Sequence, residues 1–329
     1  MEYRSFGKTG LTVSAVGFGA WAIGGPVMAG STPIGWGPSD DAESVRALKR
    51  AFDVGITFYD TADFYGLGRS EDLIGSVFGN NPRVVIATKV GNCIGPDGSP
   101  SSNYSKAYIV EACTKSLRRL QREAIDLYQL HTARLTHLDQ GECIAAMEQL
   151  QQEGKVRAWG LSLSTFAPGP EADFLVDRSL GSGFQIVLNI LNRRGLSVIS
   201  RAAAGYGIIV RMPLQFGLLA GTFDRSTTFP PNDHRSFRLS GDIIESVNEL
   251  LKKIWERGRS LGISPAELAL SYAASVPGVA TIIPGIRTAA QAERNAQSLV
   301  ALPSDLLEDI KAIPDEALEA ILESLKKRG

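Results

Sequence analysis

Phe58-Tyr59-Asp60-Thr61-Ala62-Asp63-Phe64-Tyr65-Gly66 decides how this chain of 329 residues is read. An apolar run ends on a carboxylate, and five residues later a tyrosine precedes a glycine. A strand that passes into a loop through a polar end has this pattern. Apolar runs are expected as strands at Ala15–Gly19, Phe58–Asp60, Val84–Lys89, Ile125–His131, Ala158–Ser162, Gln185–Asn189, Gly207–Met212 and Val279–Pro284. Amphipathic stretches alternate with them. In Ser105–Leu120 the residues Ile109, Cys113, Leu117 and Leu120 share one helical face, and Ile144, Met147 and Leu150 do the same in the next stretch. The first helix is expected to start at Ser39, with Asp40 and Asp41 in its first turn, and to stop at Gly55.

Eight strand-then-helix units without a low-complexity linker predict one (β/α)8 barrel domain over residues 1–329, rather than two doubly wound sheets. A hairpin at Glu2–Ser14, long loops at Ile23–Pro38 and Leu214–Gly241, and a helical tail at Ser304–Lys327 stand outside the alternation. The two loops follow the first and seventh strands, so both overhang the C-terminal barrel face where active sites of this architecture lie.

The charge balance, 34 basic against 35 acidic residues, leaves a net charge of −1 and no global positive field for nucleic acid or an anionic membrane. Cys93, Cys113 and Cys143 are widely spaced without a C-x-x-C pair. This excludes a disulfide scaffold and a zinc knuckle and fits a reducing, cytoplasmic setting. The start, MEYRSFGKTG, lacks the apolar region of a secretory signal. The uncharged stretch Leu268–Ile286 is broken by Ser271, Ser275, Pro277, Gly278 and Pro284, and reads as a buried helix followed by a strand. No metal site is expected, because His131 and His137 stand six apart and no H-E-x-x-H occurs.

Two motif matches fail on context. Gly17-Phe18-Gly19-Ala20-Trp21-Ala22 satisfies the dinucleotide pattern, yet Gly24, Gly25 and Pro26 follow where a Rossmann helix must begin. Gly160-Leu161-Ser162-Leu163-Ser164 lacks the closing glycine of a hydrolase nucleophile elbow.

The strand ends carry the chemistry. Asp60 closes its strand, Lys89 closes VVIATK and His131 closes IDLYQLH, while Tyr65 lies in the loop after Asp60. Singly, these are a turn residue, a buried lysine, a core histidine and a loop aromatic. Together they bring four protonatable groups from three consecutive units to one barrel face. An ammonium after the run Val84–Ala87 needs an anionic partner if buried, and Asp60 on the next strand is placed to supply it. A tyrosine titrates near pH 10, and an adjacent lysine cation lowers that by about 1 to 3 units, toward a useful general acid. A neutral His131 would orient the substrate oxygen. The set suits proton delivery to a carbonyl oxygen as hydride reaches carbon.

On these residues, with Arg69-Ser70-Glu71 after the second strand, the whole chain resembles the aldo-keto reductase superfamily in its bacterial, long-loop branch. The resemblance implies a catalytic tetrad of Asp60, Tyr65, Lys89 and His131. It also implies a barrel that binds extended NADP(H) without a Rossmann motif, and NADPH-dependent reduction of small aldehydes or ketones. Ser162, in Gly160-Leu161-Ser162, and Gln185 match positions that hold the nicotinamide carboxamide. Pro213, Leu214, Gly217 and Leu219 match the loop over the pyrophosphate. Gly285, Arg287, Gln291 and Asn295 match the adenosine site, with Arg287 suited to a 2′-phosphate. Leu163, Thr222 and Gly285 stand where the family often has Asn, Lys and Lys. Trp21 and Phe64, with Trp36 beside them in the loops, are expected in the substrate pocket. The resemblance also admits a second reading, a cofactor-sensing regulatory subunit, because channel-associated β-subunits share the fold. A serine hydrolase using Ser162 ranks third.

Overall fold

The computed structural model describes residues 1–328. Eight parallel strands follow one another in chain order: Phe18–Gly19, Phe58–Asp60, Val85–Val90, Ile125–His131, Val156–Ser162, Gly183–Val187, Gly207–Arg211 and Val279–Ile283. Parallel bridges Val16↔Ile282 and Gly19↔Gly285 join the first to the last and close the (β/α)8 barrel. Gly17 N–H donates to Ile282 O at 2.8 Å and Gly19 N–H to Pro284 O at 3.0 Å across that seam.

The sixth strand begins at Gly183 and ends at Val187, two residues ahead of the expected run. Asn189 explains the early end. Its side chain accepts from the N–H groups of Leu191 and Asn192 and donates to Met212 O and Gln215 Oε1, which turns the chain out of the sheet. The first helix, Asp41–Asp53, is capped by Asp40, whose carboxylate accepts from Ala42 N–H, one residue later than expected.

The hairpin Tyr3–Ser5 with Thr12–Ser14 floors the barrel. Phe6 between its strands is fully buried with Phe58, Ala87, Leu127, Ala158 and Ile209. A Cβ on Gly207 would lie 2.4 Å from the Phe6 ring, so that strand carries glycine where the plug enters. The tail forms two helices, Ser304–Lys311 and Asp315–Lys326. With Gly241–Ser260 they bury Leu251, Trp255, Leu306, Ile310 and Leu322 in a second apolar cluster. Leu268–Ile286 divides into the helix Pro265–Ser275 and the eighth strand, as expected. No helix among the described residues is long and apolar enough to cross a membrane.

Two features over the C-terminal face were not foreseen. The first long loop contains a small hairpin, Met28–Ala29 with Thr32–Pro33, and a second hairpin, Asn92–Ile94 with Pro100–Ser102, follows the third strand. The first long loop also meets the seventh-strand loop, through the bridge Trp36↔Asp233 and His234 N–H to Gly35 O at 3.1 Å. The site below is therefore roofed as well as floored.

Candidate active site

Lys89 is fully buried at the end of the third strand. Its Nζ donates to Asp60 Oδ2 at 2.6 Å, to Thr61 O at 2.8 Å and to Tyr65 Oη at 3.2 Å. The expected pairing with Asp60 is present. Asp60 is held from its other side by Gln185 Nε2 at 2.6 Å and Gln129 Nε2 at 3.3 Å, both donating to Oδ1. A buried carboxylate with this many donors has little freedom to turn away from the lysine.

Tyr65 reaches Lys89 because of an unusual turn. Gly66, Leu67 and Gly68 all have positive φ, at 65°, 52° and 101°. A Cβ on Gly66 would come within 2.3 Å of Gly24 O, so the turn is pressed against the first long loop. That contact seats the Tyr65 ring in a stack on Trp21, with centroids 5.9 Å apart, and edge-on to His131 at 5.8 Å.

Burial, the nearby Lys89 ammonium and the Arg211 guanidinium hold His131 well below the usual imidazole range, so it is neutral as expected. Tyr65 differs from expectation. Burial pushes its phenol above the ordinary value; Lys89 opposes this, Asp60 adds to it, and the balance is upward. In this pocket desolvation outweighs the lysine, and the tyrosine keeps its proton at neutral pH. Burial also acts against the charge on Lys89, but Asp60 and Tyr65 more than offset it, and the ammonium is held above its ordinary range.

One cavity of about 770 Å³ joins these groups. Asp60, Tyr65 and His131 line it, as do Trp21, Phe64, Ser162, Gln185, Pro213, Leu214, Gly217, Gly285 and Gln291. Ser162 and Gln185 are register partners on adjacent strands, next to His131 and Ser162 paired one strand earlier. Gln185 already spends an amide hydrogen on Asp60, so it positions that carboxylate as well as facing the cavity. Gln291 Oε1 accepts from Arg287 N–H and Thr288 N–H at the start of the helix Ala289–Ala296. Leu219, Arg287 and Asn295 are not on the cavity wall, and the Leu219 side chain lies in the second apolar cluster.

Among the wall residues that sequence reasoning passed over are Arg211 and His234. Arg211 ends the seventh strand as Lys89 ends the third, so the strand-end signal was present. His234 had no local signal: it is brought in by the loop-to-loop bridge and packs against Trp21, Trp36 and Phe216 at centroid distances of 4.5, 4.6 and 4.9 Å. No cluster of three or more metal-ligating side chains occurs among the described residues.

Residues 15–315 match the model of the aldo/keto reductase family. The aldo-keto reductase YhdN of Bacillus subtilis is 31% identical over 310 residues, covering 89% of this chain and 87% of its own. A probable voltage-gated potassium channel subunit beta of Arabidopsis thaliana is 26% identical, covering 100% of this chain and 98% of its own. Among solved structures, the holo form of an aldo-keto reductase from Bacillus halodurans superposes with a TM-score of 0.75 at 28% identity, over 98% of this chain and 96% of that one. The barrel and these likenesses agree: the chain belongs to the aldo/keto reductase family, a family of oxidoreductases.

Proposed function

We propose that this protein reduces aldehydes or ketones to alcohols at the expense of NADPH, with Tyr65 as the general acid. The observation that carries the reading is the position of Lys89 Nζ, bonded at once to Asp60 and Tyr65 on the wall of a cavity that continues to Ser162, Gly217 and Gly285.

The cofactor fits this donor set. Ser162 and Gln185 present polar groups at two adjacent strand ends, which suits the nicotinamide amide. Gly217 and Gly285 border the cavity where the seventh- and eighth-strand loops leave the barrel, and a Cβ on Gly285 would meet nothing within 4 Å, leaving room for a long ligand. The Arg287 guanidinium has no ion pair among the described residues and is available to a 2′-phosphate. When bound, NADPH supplies the hydride that makes the new C–H bond.

The chain's own groups do the rest. His131, neutral, and Tyr65 hold the carbonyl oxygen. As negative charge grows on that oxygen, the Tyr65 O–H bond breaks and the alcohol O–H bond forms. The phenolate left behind faces Lys89 at 3.2 Å and regains its proton from solvent. Trp21 and Phe64 border the substrate end.

The likeness to channel β-subunits makes a regulatory protein the competing reading. Multiple-turnover loss of NADPH absorbance with a small aldehyde separates the two. Many equivalents consumed per protein support the reductase; a single equivalent, or none, overturns it.

A further inference from the structure

Asp60 is the only carboxylate among the described residues on the cavity wall, and its charge is matched by Lys89 at 2.6 Å. Four arginines share that wall: Arg134, Arg211, Arg235 and Arg238. Arg235 is paired with Asp233 at 2.6 Å, and Arg134 lies 3.9 Å from Glu171.

Arg211 differs from these. Its Nη2 donates to Leu163 O at 3.1 Å and to Thr165 Oγ1 at 3.0 Å, and its Nη1 donates to the thioether of Met212 at 3.1 Å. Nε is buried and bonded to nothing. Every partner is neutral, and one is a sulfur, a weak acceptor. A partly buried guanidinium left without an anion is costly, and in a reaction cavity that cost is relieved when a ligand brings the missing charge.

The backbone holds this cation in place. Met212, Gln215 and Phe216, just after Arg211, all have positive φ, at 56°, 44° and 59°. Asn189 Nδ2 pins the turn through Met212 O at 2.9 Å and Gln215 Oε1 at 2.8 Å. Such conformations are unfavourable for residues other than glycine and are kept where they serve a site. The charge of the guanidinium is felt by Tyr65 and His131, with which it shares the cavity wall.

We propose that Arg211 recognises an anionic group on the substrate, and that preferred substrates are carbonyl compounds carrying a carboxylate. This rests on the cavity being the reductase site. The other source of an anion is the cofactor's own phosphates, and the experiment separates the two.

Two aldehydes of similar shape, 4-carboxybenzaldehyde and 4-methylbenzaldehyde, are compared with wild type, Arg211→Gln and Arg211→Lys, each checked for fold by circular dichroism. Binding of the alcohols 4-(hydroxymethyl)benzoate and 4-methylbenzyl alcohol in the presence of NADP+ is measured by calorimetry. Wild type favours the carboxylate by roughly 10- to 100-fold in kcat/KM and in affinity. Arg211→Gln brings both ratios close to one, Arg211→Lys recovers part of them, and the NADPH dissociation constant stays within about threefold. Equal handling of the two aldehydes by wild type overturns the proposal. So does a preference that survives in Arg211→Gln, or a large loss of NADPH affinity without a change in the ratio, which would place the anion on the cofactor. If wild type consumes NADPH with neither aldehyde, the reductase reading fails, and the alcohol affinities alone decide the role of Arg211.

Discussion

The ammonium of Lys89 lies 3.2 Å from the phenol oxygen of Tyr65. Because Lys89 is also bonded to Asp60, the pair is nearly neutral as a unit, and the lysine can donate to the tyrosine without leaving an unpaired charge in the barrel. Lys89→Met removes the group that does most to pull the Tyr65 titration down and leaves Asp60, which pushes it up. Carbonyl reduction is then expected to fall by about 100-fold or more. Since burial holds Tyr65 above its ordinary value, reduction in wild type stays flat with pH through neutrality and declines only on the alkaline side. Alcohol oxidation, which needs the phenolate, rises with pH over the same range. Rate profiles in both directions check this, and a Lys89→Met protein with wild-type rates and profiles contradicts it.

Gly66→Ala tests the turn that delivers Tyr65. A methyl group there would sit 2.3 Å from Gly24 O, in a backbone conformation with φ of 65°, so the turn has to move. The phenol is expected to withdraw from Lys89, with kcat falling about 10- to 1,000-fold while the protein stays folded and still binds NADPH. Thermal unfolding, fluorescence titration and kcat are the measurements. Unchanged kcat means the turn does not set the Tyr65 position.

His234 gives a stability prediction. Burial, reinforced by Arg238, lowers its pKa to about 3, and neither ring nitrogen has a partner. The unfolded chain takes up a proton near pH 6.5 and the native state does not, so through this residue the native state loses stability as pH falls from about 6.5 toward about 3. His131 acts in the same direction. His234→Phe keeps the packing on Trp21, Trp36 and Phe216 and removes two unsatisfied groups. At pH 7 it is expected to gain about 1 to 3 kcal/mol, and its stability should fall less steeply between pH 7 and 5. Urea midpoints at these pH values check both, and parallel slopes for the two proteins contradict the assignment.

Arg287 is expected to read the 2′-phosphate. Its backbone N–H is fixed by Gln291 at 2.7 Å, which sets where the side chain leaves the helix start. Arg287→Ala should weaken NADPH binding by roughly 10- to 150-fold and NADH binding little. Equal small changes for the two cofactors, measured by fluorescence titration, would show that the residue does not distinguish them.

The barrel and the proximity of Asp60, Tyr65, Lys89 and His131 were legible because strand periodicity and strand ends are local properties: Asp60, Lys89 and His131 each close an apolar run. Other features depend on several segments at once. Tyr65 has a raised titration because it is buried, and its stacking partner Trp21 comes from another segment. Gln185 matched a cofactor position, yet its closest bond is to Asp60 on a strand 125 residues away. His234 enters only through the bridge between two loops. The end of the sixth strand was misplaced because Asn189, read as a strand residue, uses its side chain to build a turn.

The most direct test of the account is deuterium transfer from NADPH dideuterated at C4 to a small aldehyde, followed in wild type and Tyr65→Phe. The account predicts an alcohol with one deuterium at the carbinol carbon and a primary isotope effect in wild type. In Tyr65→Phe it predicts a rate lower by about 100- to 10,000-fold with NADPH affinity nearly intact. An alcohol without deuterium, or a Tyr65→Phe protein that transfers deuterium at the wild-type rate, would contradict it.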